Sequence, residues 1–129
     1  MNSLIRLIDV YVSLHRAEGF GLILAESMLL GTPVIATNYS ANMEFMNEEI
    51  SCLVDCRLIM LEKDCWPYEK GNRWADPDID MAAGYMKRLL EDREYYDYIA
   101  SAAQRHVQTV LGKDAVATII KKRYNAIYK

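Results

Sequence analysis

The sequence predicts an α/β fold in which a small parallel sheet of about three strands is flanked by helices, with a helical C-terminal third. Three observations carry this expectation. Two short, apolar, β-branched runs are separated by one helical repeat, the pattern of a strand–helix–strand crossover, which makes its strands parallel and its connection right-handed. A third such run follows. Beyond residue 80 apolar residues recur only at helical spacing.

Leu4-Ile5 and Leu7-Ile8 read as the last turn of a helix. Asp9 then leads into Val10-Tyr11-Val12-Ser13-Leu14, a run suited to a buried strand. A loop follows from His15 to Gly19. From Gly21 onward, Leu22, Ala25, Met28 and Leu29 repeat at helical spacing, and Gly31 sits where a left-handed residue closes a helix. Thr32-Pro33 turns the chain into a second buried strand, Val34-Ile35-Ala36-Thr37. After a polar loop at 38–42, Met43-Glu44-Phe45-Met46 predicts a short helix and Ser51-Cys52-Leu53-Val54 a third strand.

Residues 57–75 show no clear period and carry Pro67, Gly71, Trp66 and Trp74, which predicts an irregular excursion rather than a linker. Asp76-Pro77 reads as the N-cap and first residue of the next helix, with Asp78 and Asp80 at its positive end. Three amphipathic helices are then expected, on Ala82, Tyr85, Met86 and Leu89, on Tyr95, Tyr96, Ile99, Ala103 and Val107, and on Val116, Ile119, Ile120, Tyr124 and Ile127. Three strands against four substantial helices, in a chain opening at the end of a helix, read like a domain joined midway.

A chain of 129 residues predicts one domain, 1–129, and 52% hydrophobic with 26% charged residues excludes wholesale disorder. Fifteen basic against 18 acidic residues give no reason to expect nucleic acid. Cys52, Cys56 and Cys65 are an odd number without Cys-x-x-Cys spacing, which favours free thiols in a reducing compartment. The first residues lack the pattern of a signal peptide, and no stretch approaches the ~18 apolar residues of a membrane span, so a cytoplasmic location is expected. Lys121-Lys122-Arg123 with Lys129 either complement a helix C-terminus or touch an anionic membrane peripherally.

The candidate site is the segment His15-Arg16-Ala17-Glu18-Gly19-Phe20-Gly21-Leu22-Ile23-Leu24-Ala25-Glu26. It joins the carboxyl end of a parallel strand to a helix N-terminus, where open α/β sheets bind ligands and where amides with about half a positive charge attract anions. The amides of Phe20, Gly21 and Leu22 suit a diphosphate, and Gly19 and Gly21 let its oxygens approach the backbone. Glu18 and Glu26 present two carboxylates, good acceptors for vicinal diols, and a sugar nucleotide offers one diol on its hexose and one on its ribose.

Glu18 and Glu26 reproduce the E-x7-E motif of retaining glycosyltransferases with the GT-B fold, and Glu18-Gly19-Phe20-Gly21-Leu22 resembles glycosyltransferase family 4 in particular. Gly31-Thr32-Pro33-Val34-Ile35-Ala36-Thr37, the loop and helix at 38–46, and Arg73-Trp74-Ala75-Asp76-Pro77-Asp78 are similar to the same family. The resemblance implies a partial Rossmann-like, donor-binding domain holding a nucleotide sugar. Glu18 would act as the catalytic-site acid toward the sugar hydroxyls, with Gly19, Phe20, Gly21 and Leu22 at the diphosphate and Glu26 on the ribose. It also implies no cofactor and no metal. The family's full enzyme adds an acceptor domain with a catalytic histidine, and an Arg and a Lys that neutralise the diphosphate. This chain corresponds to the latter part of the second domain, so it is expected to be incomplete for catalysis alone. Partners expected are the nucleotide sugar and an acceptor-domain polypeptide, or a second copy covering the open sheet edge.

His15 and Arg16 are secondary candidates beside the loop. A solvated loop arginine and a packed histidine remain the alternatives, as they do for His106. The D-x-D pattern of Asp76 and Asp78 fails as a metal motif on the cap reading, and extension to Asp80 fails as a calcium loop because Met81 stands where glycine is required.

Overall fold

In the computed structural model, which describes residues 2–128, strand β2 (Val34–Thr37) is buried at every position. It is the middle of a three-stranded sheet, with β1 (Tyr11–Ser13) parallel on one side, Tyr11 opposite Val34, and β3 (Cys52–Val54) parallel on the other, Ile35 opposite Cys52. Successive side chains serve opposite faces. Val34, Ala36 and Leu53 pack with Leu24, Met28, Ala103 and Val107, whereas Ile35, Cys52 and Val54 pack with Ala82 and Leu89. The first layer comes from α2 (Leu22–Leu29) and α4 (Arg93–Leu111), the second from α3 (Ile79–Glu91). The expected parallel sheet with helices on both faces is what forms.

A short helix α1 (Asn2–Ile5) precedes β1. Gly31 closes α2 as expected: its φ is +77°, its amide donates to the Met28 carbonyl at 3.0 Å, and the Thr32 amide donates to the Ser27 carbonyl at 2.9 Å. The short helix expected at 43–46 is a 3-10 turn two residues earlier, Ala41–Glu44, because the buried Asn42 carbonyl takes the amides of Phe45 and Met46.

Two expectations are corrected. Residues 57–75 are not irregular throughout: β4 (Cys56–Met60) and β5 (Arg73–Pro77) form an antiparallel hairpin, Leu58 opposite Ala75. Its signal is weak because Leu58, Ile59 and Met60 are consecutive apolar residues that all stay exposed, so no alternation marks a buried face. Asp76-Pro77 does not open α3 either. Both residues belong to β5, and Asp78 is the N-cap, its carboxylate accepting the Met81 amide at 2.9 Å.

The last helix, α5 (Lys113–Ile127), forms where expected but buries no residue, and its apolar stripe of Ile119, Ile120, Tyr124 and Ile127 is exposed. Across the second layer, the buried Cys52 thiol lies 3.5 Å from the Tyr95 hydroxyl, and the Arg88 guanidinium stacks 3.6 Å above the Tyr95 ring. Burial pushes both the thiol and the phenol up from their ordinary range. No described helix is long and apolar enough to cross a membrane.

Candidate functional site

Gly21 turns the chain from the β1 loop into α2. Its φ of +89° and ψ of 44° are left-handed, and a Cβ there would stand 2.8 Å from Leu24 Cδ1, itself buried in the core. Both constraints call for glycine. A glycine has no side chain to cap the helix, and the first intrahelical bond runs from the Ala25 amide to the Gly21 carbonyl at 2.9 Å. The amides of Leu22, Ile23 and Leu24 therefore lie ahead of the ladder, where the helix dipole adds positive potential. Their residues line an open cleft of about 330 Å³ together with Tyr11, Ser13, Glu18, Phe20 and Gly21.

Glu18 folds back on its own loop. Its Oε1 accepts the Gly19 amide at 2.9 Å and the Phe20 amide at 3.3 Å. The Phe20 amide, expected at the diphosphate, is thus turned to the Glu18 carboxylate in this structure, and the amides left ahead of the helix ladder are those of the first turn of α2. The Phe20 ring instead packs against Phe45, with centroids 5.4 Å apart.

The loop is braced from three sides. The Ser40 hydroxyl accepts the Glu18 amide at 2.9 Å and donates to the Glu18 carbonyl at 2.8 Å. His15 Nε2 reaches the Tyr39 carbonyl at 3.0 Å and Asn42 Oδ1 at 3.2 Å, and Ser13 Oγ lies 3.2 Å from its Nδ1. Arg16 points to the hairpin: its guanidinium donates to Asp76 at 3.1 Å and the Ala75 carbonyl at 3.4 Å, and stacks 4.8 Å above Trp74. His15 and Arg16 therefore tie loops together, His15 through both ring nitrogens and Arg16 through Nη1.

Glu26 sits half-buried on α2 and is not part of the cleft lining. The structure thus brings Glu18, Phe20, Gly21 and Leu22 together and leaves Glu26 one turn away. Ser13, Ser40 and Asn42 join the site or its support from outside the candidate segment, and Ile23 joins the cleft lining from within it. Ile23 follows from counting three orphan amides from the first helical residue. Ser40 carries no local signal, because its partner lies 22 residues away. Asp76 and Asp78 are engaged by Arg16 and by the α3 cap, and among the described residues no three His, Cys, Asp or Glu side chains gather as a metal site.

The family model described as glycosyl transferases group 1 matches residues 1–106, and the chain belongs to that family. Among solved structures it is similar to HepE of Anabaena in complex with UDP and glucose, with a TM-score of 0.64 and 22% identity over 92% of this chain and 29% of that one. HepE in complex with UDP-glucose gives a TM-score of 0.61 and 20% identity over the same shares, 92% and 29%. The likeness establishes the fold, and this chain spans less than a third of the HepE length. Comparison with curated proteins gives no match.

Proposed function

We propose that the chain binds a nucleotide-activated sugar at the N-terminus of α2, as the donor-binding part of a retaining glycosyltransferase. The observation that carries this reading is the uncapped first turn of α2, entered through the left-handed Gly21 and flanked by the Glu18 carboxylate. The amides of Leu22 to Leu24 take the diphosphate, the free oxygen of Glu18 takes a hydroxyl of the hexose, and Glu26 reaches the ribose. As the bond from sugar to phosphate breaks, charge builds on the leaving diphosphate, which amides and a helix dipole stabilise with no metal required. HepE, of the same fold, is found with UDP and glucose and with UDP-glucose, which supports a uridine nucleotide as the first ligand to test. Three free cysteines support a cytoplasmic placement.

Calorimetric titration with UDP, GDP and dTDP tests the reading. Saturable binding of one of them, lost in Gly21→Val, is expected. Absence of heat up to millimolar nucleotide overturns it.

One side of β1, which pairs with no strand among the described residues, and the exposed apolar stripe of α5 favour a second reading, in which the chain works assembled. Its partner is then a second copy or an acceptor-binding polypeptide. Oligomers in sedimentation velocity without nucleotide binding are the outcome that separates this non-catalytic, self-associating reading from the first.

A further inference from the structure

We propose that Ser40 is a positioning residue that sets Glu18 for the hexose of the donor, an inference that rests on the donor-site reading above. Ser40 has a φ of +86° and a ψ of −162°, a conformation that side chains other than hydrogen rarely adopt, and it is the one non-glycine residue with positive φ among those described. A backbone requirement alone is met best by glycine. The hydroxyl is the reason for serine, and its use is unusual. Ser40 stands at the N-cap of the Ala41–Glu44 turn, where a serine ordinarily caps the following amides, yet it makes no cap bond. Its one proton and one of its lone pairs go instead to the carbonyl and the amide of Glu18, at 2.8 and 2.9 Å.

Two bonds to the same residue fix the Glu18 backbone as a strand neighbour does. With that backbone fixed, Oε1 rests on the Gly19 and Phe20 amides, and Oε2 makes no hydrogen bond among the described residues. A carboxylate held by one oxygen presents the other in a constant direction, the geometry needed to choose one hydroxyl arrangement of a sugar. Ser40 is not part of the cleft lining and acts through Glu18.

The test compares wild type, Ser40→Ala and Ser40→Gly by calorimetry with UDP and with UDP-glucose. Ser40→Gly removes the hydroxyl and relieves the backbone, so it carries the test where Ser40→Ala fails to fold. Expected is an unchanged affinity for UDP and a loss of about tenfold for UDP-glucose in both variants, together with faster amide exchange at Glu18. Equal weakening for both ligands means that Ser40 is merely structural, and no change for either means that Glu18 is set without it; both overturn the proposal while leaving the donor site standing. A wild type that binds UDP but gains nothing from the glucose also overturns it. A wild type that binds neither overturns the donor-site reading itself.

Discussion

The imidazole of His15 spans two loops by donating from Nε2 to Asn42 Oδ1 at 3.2 Å and to the Tyr39 carbonyl at 3.0 Å. The orientation of Asn42 follows from its other bond, in which Nδ2 donates to the Thr37 carbonyl at 3.1 Å, so its oxygen faces His15 as an acceptor. Nε2 of His15 therefore carries a proton, since both of its partners are acceptors. Nitrogen NMR is predicted to show Nε2 protonated, and Asn42→Ala, at a position 0% exposed, is predicted to cost about 2–3 kcal/mol in denaturant unfolding because it removes the buried bonds to Thr37 and His15 and leaves a cavity.

Gly19 and Gly21 sit two residues apart and differ in what they tolerate. A Cβ on Gly19 meets nothing within 4 Å, whereas on Gly21 it meets Leu24 at 2.8 Å with φ at +89°. Gly19→Ala is predicted to leave stability within about 0.5 kcal/mol, and Gly21→Ala to cost at least about 1–2 kcal/mol from the backbone alone. Thermal unfolding of both variants checks the contrast.

Thr37 Oγ1 is buried, with the residue 0% exposed, and has no hydrogen-bond partner among the described residues. Thr37→Val exchanges that hydroxyl for a methyl of similar size, so its melting temperature is predicted to equal or exceed that of wild type. A marked fall in calorimetry contradicts the assignment of an idle hydroxyl.

Burial raises the Cys52 thiol above its ordinary 9.0 and the Tyr95 phenol above its ordinary 10.0. The folded chain therefore holds these protons to higher pH than the unfolded chain. The stability involved is present below about pH 9 and is lost as pH rises beyond it. Tyr95→Phe keeps the ring under Arg88, costs less than about 1 kcal/mol at pH 7, and is predicted to flatten the alkaline decline measured by denaturant unfolding.

Arg16 forms an exposed ion pair with Asp76 and stacks on Trp74. Such contacts are individually small, so Arg16→Ala is predicted to cost less than about 1 kcal/mol overall. Its larger effect is local, faster amide exchange in β4 and β5, which Arg16→Lys does not restore because an ammonium lacks the stacking plane.

What the sequence makes legible is local. β2, α2 and Gly31 are visible because their signals, an apolar run, a helical repeat and a left-handed closing glycine, lie within a few residues. The β4–β5 hairpin is not, since its strands are exposed and its partner residues, Met60 and Arg73 at the narrowest, are separated by a loop without a short turn signature. The cap of α3 lies two residues beyond the one expected because Asp76 and Asp78 are chemically equivalent candidates, and Arg16, about 60 positions away, engages Asp76. The same holds at the site. Gly21 and Glu18 announce themselves, whereas the turning of Glu18 onto its own amides and the brace from Ser40 are tertiary facts.

The most direct test of the account maps amide NMR shifts of nitrogen-labelled protein during titration with UDP. The largest perturbations are predicted to fall on Leu22, Ile23 and Leu24 at the start of α2, with smaller ones on Glu18 to Gly21, and to vanish in Gly21→Val. Perturbations centred on the β4–β5 hairpin or on α5, or none at saturating nucleotide, contradict it.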